Sequence, residues 1–191
     1  STTTTNFGTL TTIRIGGEGT TTIYRTYLTF NVTGLTGSVT AVKLRLFATD
    51  ASPNIVHVLP VADTSWIESG AGGITWDNWP AMGSPEAGSG PVPTLTAYND
   101  ITLSPSSVSG NGVVSFGLTI DGTNSAIFSS KEGANAPQLV VTQSGGGPPP
   151  NTPPTANATS ATTTTDVAVG VALAGRDPET CELTFSIDSG P

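Results

Sequence analysis

Apolar and polar residues alternate along most of the first 143 residues. Because successive side chains of a strand point to opposite faces of its sheet, this period of two predicts strands with one buried face. The clearest sets are Leu28, Phe30 and Val32; Val42, Leu44 and Leu46; Val114, Phe116, Leu118 and Ile120; and Leu139 with Val141. Shorter candidates cover residues 10–15, 55–61, 97–103 and 126–129. About eight strands between Gly-, Pro-, Asn- and Asp-rich turns predict an all-β fold, an antiparallel β-sandwich of jelly-roll type.

One long stretch, residues 65–93, breaks the alternation. It is rich in Gly and Pro and holds all three tryptophans, Trp66, Trp76 and Trp79. Long irregular loops in compact domains are usually functional or are pinned by their own aromatic side chains. We expect Trp66 and Trp76 to anchor the loop on the sandwich, and Trp79 to be the most exposed of the three.

A Gly- and Pro-rich linker, residues 144–154, separates the sandwich domain (residues 1–143) from a short second module (residues 155–191). Consecutive prolines favour an extended, semi-rigid spacer. In the second module, alternation predicts strands over residues 167–173 and 183–187. So few strands cannot bury a core of their own, which predicts an incomplete Ig-like β-sandwich.

The charge balance excludes several classes of partner. Six basic residues stand against 14 acidic ones, for a net charge of −8 and a pI near 4.2, and the basic residues form no cluster. We therefore expect no nucleic acid and no anionic membrane as a partner. No apolar run approaches the roughly 20 residues that span a bilayer, so we expect no membrane insertion. A single cysteine, Cys181, excludes an internal disulfide framework.

The sequence offers no catalytic constellation. His57 is the only histidine, and its place in a predicted strand indicates an ordinary hydrogen-bonded imidazole. Asp63, Glu68 and Asp77 are the only carboxylates that cluster near aromatic residues. A sugar-binding loop or a set of turn caps would show the same carboxylates, and we prefer that interpretation to a glycosidase pair. We assign no catalytic residue and expect a protein that is not an enzyme.

A set of motifs that spans residues 6–142 resembles the DNRLRE-type β-sandwich domain of bacterial extracellular proteins. The motifs are NFG (6–8), YRTYLTFNV (24–32), GL (34–35), VKLRL (42–46), DTSWIESG (63–70), ITWDN (74–78), PA (80–81) and PQLVVT (137–142). The resemblance implies a non-catalytic jelly-roll domain, in a family that includes carbohydrate-binding modules for acidic polysaccharides. Two departures are the missing strand before the NFG turn and the absence of the eponymous motif.

The second module is similar to the start of cadherin-like or Ig-like bacterial repeats. The matching motifs are PPTAN (153–157), DPE (177–179) and LTFSI (183–187). In such repeats the acidic turn can hold calcium. Ca²⁺ is therefore the one cofactor that the sequence suggests, with Asp177, Glu179 and Glu182 as its candidate ligands.

Aromatic side chains are the natural candidates for binding sugar, because pyranose rings stack on flat apolar faces. The candidates are Trp66, Trp76, Trp79 and Tyr98. If the polysaccharide were acidic, basic side chains should share its surface, and the sandwich offers Arg14, Arg25, Lys43, Arg45 and Lys131. Lys43 and Arg45 are preferred, since both lie on the face of one strand opposite its buried set.

Two hypotheses about function remain open at this point. The first is a polysaccharide-binding, adhesive module of a larger secreted or cell-surface protein. The second is a structural subunit of an extracellular filament, stalk or sheath, in which a neighbouring chain completes the sandwich by strand donation and forms a homo-oligomer. Exposed aromatic residues in a groove favour the first, and apolar edges paired between chains favour the second.

Overall fold

The computed structural model describes residues 4–18, 22–145, 152–177 and 183–184. The chain separates into two compact units, Ser1–Gly146 and Gly147–Pro191, with the boundary inside the predicted linker. No helix in the described residues is long and apolar enough to cross a membrane.

The first unit is an antiparallel β-sandwich of two sheets, which confirms the predicted fold class. One sheet has the order β10-β4-β9-β1-β2, with β7 also paired to β4, and the other has the order β3-β8-β5-β6. The strands are β1 (Thr12–Glu18), β2 (Thr22–Tyr24), β3 (Thr26–Val32), β4 (Ser38–Asp50), β5 (Ser52–Val61), β6 (Gly88–Val92), β7 (Tyr98–Leu103), β8 (Gly112–Ile120), β9 (Ala126–Ser129) and β10 (Gln138–Ser144). A 3₁₀ turn at Pro105–Ser107 adds the helical element of the described sandwich.

Within residues 1–143, every stretch that the alternation selected contains a strand, and two further strands, β2 and β6, were not expected. β6 lies inside the stretch predicted to be irregular and pairs along β5, with Pro91 opposite Ile55. β6 is an edge strand with the sequence GSGPV, in which Val92 is the one large aliphatic residue, so no apolar alternation could reveal it. Proline is tolerated on such an edge, since no ladder hydrogen bond is needed on its outer side.

The core lies between the inner faces of the two sheets. Phe116 of β8 and Phe128 of β9 are its largest side chains, and both are almost completely inaccessible to solvent. Aliphatic residues from both sheets surround them: Ile15, Val42, Leu44, Leu46, Val56, Val58, Val92, Ile101, Leu103 and Leu118. Burying this continuous apolar surface is the main source of the fold's stability.

In the described part of the second unit, β11 (Thr155–Asn157) forms a short antiparallel pair with β12 (Ala174–Arg176). The predicted strand at residues 167–173 is wrong, because these residues form no strand, and Val167, Val169, Val171 and Leu173 are 45–56% exposed. Alternation produces a strand only where a partner edge is available, and the described residues of this unit offer none there. Of the second predicted strand, Leu183 lies outside any strand, whereas Phe185 and Ile187 fall outside the described residues.

Candidate functional site

The long connection between β5 and β6, residues 62–87, folds over the outer face of the four-stranded sheet. Trp66 anchors it as expected, since its Nε1–H donates to Ser115 Oγ at 3.2 Å on β8. Ser115 Oγ also shares a 2.9 Å hydrogen bond with the Thr29 hydroxyl of β3. Tyr27 of β3 donates its hydroxyl proton to the Pro80 carbonyl oxygen at 3.0 Å. The connection is therefore attached to two strands of the sheet.

The segment before β1 holds the same connection from its other side. The Asn6 amide donates to the carbonyl oxygens of Glu68 at 2.7 Å and Ile74 at 2.6 Å. Gly8 packs so closely that a Cβ there would lie 2.2 Å from the Glu68 carbonyl oxygen. Lys131, which follows β9, pairs with the Glu68 carboxylate at 3.0 Å. Asn6 and Gly8 of the NFG motif therefore help to hold the connection in place.

Met82 packs flat against β8 where the connection returns towards β6. A Cβ on Gly117 would come within 2.4 Å of Met82 Cε and 2.6 Å of Met82 Cγ, so only glycine fits beneath it. Two backbone contacts fix this segment beside β5: a β-bridge between Met82 and Val61, and the hydrogen bond from Gly83 N to the Pro60 oxygen at 2.6 Å.

Four aromatic rings and one guanidinium form a continuous array at the edge of this connection. The Trp79 ring centroid is 6.5 Å from that of Tyr27 and 6.3 Å from that of Trp76, and Tyr27 meets Trp66 edge-on at 6.1 Å. The Arg25 guanidinium, just before β3, lies 4.5 Å from the centre of the Trp79 ring and 5.2 Å from that of Trp76. Such distances are typical of cation–π pairs.

A groove of about 300 Å³ opens beside this array on the outer face of the sheet. We call it the Trp79 groove, and its lining residues are Arg25, Leu59, Trp79, Ala81, Met82 and Thr119. Sequence reasoning selected Trp79 and included Arg25 among the basic candidates. It missed the remaining four, because their side chains converge from β5, β8 and the connection only in the folded domain.

The expected exposure of two tryptophans is reversed. Trp76, predicted to be an anchor, is 42% exposed, whereas Trp79, predicted to be the most exposed, is partly buried. Trp79 loses exposure because Tyr27, Trp76 and Arg25 surround it. The partly buried Trp79 indole therefore lines the groove, and the exposed Trp76 indole lies next to Trp79.

Arg25 differs from the preferred basic candidates in its partners. Within the described residues it forms no ion pair with a carboxylate, whereas Lys43 and Arg45 share Asp100. Burial raises the pKa of Tyr27 to about 12, a rise that the neighbouring Arg25 charge partly opposes. Tyr27 is therefore a neutral hydrogen-bond donor beside Arg25, and Arg25 itself lines the groove.

The structure places Lys43, Arg45 and Tyr98 on the outer face of the other sheet, away from the tryptophans. Arg45 Nε donates to Asp100 at 3.0 Å, Lys43 Nζ lies 3.4 Å from the same carboxylate, and the Arg45 guanidinium lies 4.8 Å from the centre of the Tyr98 ring. The hydrogen bond from Arg45 is the main reason that the pKa of Asp100 is lowered. The expected single surface of aromatic and basic candidates is thus two separate surfaces, because neighbouring strands in sequence belong to opposite sheets.

The acidic candidates do not assemble into one site in the described residues. Asp63 accepts from Ser65 within its own turn, with an Asp63 Oδ1 to Ser65 N distance of 2.8 Å. Asp177 is partly buried, while Glu179, Glu182 and Cys181 fall outside the described residues. No group of three His, Cys, Asp or Glu side chains with metal-binding geometry occurs in the described part of the chain.

Comparison with known families assigns the first domain. The model of carbohydrate-binding module family 96 matches residues 1–143, which contain the sandwich except for the last residue of β10 and include the Trp79 groove. A search of curated proteins finds no match. The family is one of non-catalytic binding domains, in agreement with the expectation that the chain is not an enzyme. Because the match covers well over half of its residues, the chain belongs to carbohydrate-binding module family 96.

Proposed function

We propose that the Trp79 groove binds one chain of an acidic polysaccharide. The exposed Trp76 ring and the partly buried Trp79 ring lie 6.3 Å apart at a 47° angle, which presents two apolar faces to successive sugar units. Leu59 and Met82 extend the apolar surface along the groove, and Thr119 supplies a hydroxyl. Binding sites commonly combine such apolar walls with a few placed polar groups.

The position of Arg25 is the observation that supports a preference for acidic over neutral sugars. Its guanidinium stacks on two indoles without an ion-pair partner among the described carboxylates. A guanidinium can hold a sugar carboxylate through two parallel hydrogen bonds, and charge-assisted bonds are stronger than bonds between neutral groups. The sandwich as a whole is acidic, so attraction of a polyanion depends on this local charge and not on the average field.

Calorimetric titration with hexamers of mannuronate, guluronate and galacturonate, and with neutral hexamers of glucose and mannose, tests the proposal. We expect at least one uronate hexamer to bind more tightly than both neutral ones. Arg25→Gln should weaken that binding by about tenfold or more, the typical loss for a charge-assisted bond. Trp79→Ala should weaken both classes of ligand.

Lys43→Gln is the matched control for Arg25→Gln. It removes one positive charge from the same domain, but on the other sheet and beside Asp100. Its affinity for uronate should stay within about twofold of the wild type, because exposed charges more than about 10 Å away are screened. Equal losses in the two variants would mean that the net charge, and not the groove, governs binding.

We further propose that the domain serves as an adhesive module of a larger secreted or cell-surface protein. Two observations support this context: the family membership of residues 1–143 and the Pro-rich spacer that follows. Polysaccharides of the proposed class are extracellular polymers. Protease treatment of intact cells followed by immunoblotting tests the location, since a surface module should be cleaved while a cytoplasmic marker stays intact.

A structural subunit completed by strand donation is the second candidate. It is supported by the exposed apolar alternation at residues 167–173 and by Ile23, which is 60% exposed on the edge strand β2. An edge strand such as β2 can accept a strand from another chain, and an unpaired apolar segment can supply one. Light scattering over a concentration series tests it: a monomer at every concentration would exclude this candidate.

A further inference from the structure

His57 lies beside the Trp79 groove, on the outer face of β5. Its β-ladder partner on β8 is Thr119, and Leu59 follows two residues later on the same face, so both of these neighbours line the groove. Directly opposed side chains on paired strands stand about 5 Å apart at Cβ. His57 is therefore a direct neighbour of the groove wall.

Two carboxylates hold the imidazole from opposite sides. His57 Nδ1 lies 2.8 Å from Glu86 Oε2, and Nε2 lies 3.0 Å from Asp121 Oδ1. We call these three residues the His57 clasp. Nδ1 makes a hydrogen bond with Glu86, whereas Nε2 meets Asp121 without hydrogen-bond geometry, so the attraction to Asp121 requires the charged imidazolium. The electrostatic attraction within the clasp thus depends on the charge of His57.

The clasp attaches the groove-lining connection to the sheet. Glu86 precedes β6 and follows Met82 by four residues, on the segment that returns from the tryptophans. Backbone hydrogen bonds hold that segment to β5 at Gly83 and Ala87, and Glu86 adds the side-chain contact between them. Asp121 ties the same imidazole to the end of β8.

We propose that His57 is a positioning residue for the Trp79 groove and makes acidic-glycan binding dependent on pH. The inference rests on the proposed function, since it concerns the regulation of the same groove. The protonated clasp keeps Glu86, and through it the Met82 wall, fixed to β5 and β8. Loss of the proton leaves two carboxylates beside a neutral ring and weakens that attachment.

The direction of the pH dependence of glycan affinity follows from the charges that face His57. Glu86 faces it from the β6 side and Asp121 from the β8 side, while Arg25 is the basic residue in the groove itself. The hydrogen bond to Glu86 is the largest cause that raises the His57 pKa, desolvation opposes it, and Asp121 adds to the rise. The clasp therefore carries one net negative charge below the raised pKa and two above it. An acidic glycan is repelled more strongly above it, so affinity falls as pH rises.

The single histidine makes the test direct. The imidazole carbon-bound protons of His57 are the only ones in the chain, so NMR titration of the full chain reports its pKa without assignment ambiguity. We expect a pKa above the ordinary 6.5 that rises further in saturating uronate hexamer, because binding and protonation must favour each other reciprocally. The Trp79 indole and Met82 methyl signals should shift with the same midpoint.

Calorimetric measurement of the affinity at pH 5.5 and at pH 8.5 gives the size of the pH effect on glycan binding. The extra negative charge near the groove should weaken binding of the uronate hexamer by about two- to fivefold in the wild type. His57→Gln cannot titrate and should show no such change. Glu86→Gln, which keeps the imidazole, should bring the pKa of His57 back towards 6.5.

Three outcomes overturn the inference. The first is a His57 pKa that is unchanged by saturating ligand, a wild-type measurement that does not depend on the folding of any variant. The second is an equal pH dependence in the wild type and His57→Gln. The third is the absence of uronate binding already at pH 5.5, which refutes the proposed function itself and is thereby distinguished from failure of the pH mechanism alone.

Discussion

Gly117→Ala tests whether the groove connection is packed onto β8 as the structure shows. The new Cβ would lie 2.4–2.7 Å from Met82 Cε, Cγ and Sδ, about 1 Å inside ordinary contact distance. Met82 Cγ is near its own backbone, which Gly83 holds to Pro60. The Met82 side chain and its backbone must therefore shift together, and the substitution should open the groove.

Overpacking of this kind costs about 1–3 kcal/mol, partly offset by the 0.4–1 kcal/mol that a Gly→Ala change gains in the unfolded chain. We expect a net loss of about 1–2 kcal/mol in the free energy of unfolding, measured by urea denaturation, and a fall of several degrees in Tm by calorimetry. Uronate affinity should fall in the same variant.

Gly90→Ala supplies the matched control, because it makes the same change in β6 of the same sheet. The nearest atoms to its new Cβ are Ile101 methyl and methylene carbons at 3.7–3.8 Å, an ordinary contact. It should leave stability unchanged or slightly higher. If Gly117→Ala proves as stable as Gly90→Ala, the contact between Met82 and β8 does not exist as described and the groove wall is placed wrongly.

Three further predictions concern the core, the loop anchor and pH. Phe128→Ala removes a fully buried ring and should cost about 3–5 kcal/mol by urea denaturation, and a cost below 1 kcal/mol would contradict its place in the core. Trp66→Phe deletes the hydrogen bond to Ser115 and should cost about 1 kcal/mol, with a loss of glycan affinity expected only through looser loop packing. Arg45 lowers the pKa of Asp100, so the charged carboxylate stabilises the fold above its ordinary pKa, and this contribution disappears as pH falls through the lowered value. The stability of Asp100→Asn should therefore decline less than that of the wild type on acidification, in thermal melts between pH 5 and pH 2.

The alternating pattern was enough to predict the sandwich but not the composition of the site. Residues such as Val42 and Leu44 alternate because one face of β4 is buried, so the pattern states directly which face is inside. Trp76 and Trp79 carry no such signal, since their exposure depends on neighbours from other elements. The reversal of their expected roles follows from the stacking of Tyr27 and Arg25 on Trp79.

The separation of the two aromatic surfaces also depends on neighbours from other elements of the fold. Tyr98 and Trp79 both looked like sugar-stacking candidates, but the sheet order places Tyr98 on β7 beside β4, while the Trp79 connection covers β5 and β8. Sheet membership is decided by which strand edges pair, and no local pattern along the chain encodes that choice. Tertiary contacts likewise explain why Gly117, unremarkable in sequence, is required beneath Met82.

The sequence by itself determined the fold class, the loop that carries the tryptophans and the scarcity of basic residues, because each depends on composition or on the period of apolar positions. Only the tertiary structure decided that Arg25, Leu59, Trp79, Met82 and Thr119 form one groove and that His57 stands between two carboxylates beside it. These side chains come from separate strands and from the long connection, brought together when the two sheets bury their common core. Periodicity indicates which residues a strand buries, whereas the prediction of a binding site requires knowing which other elements lie next to that strand.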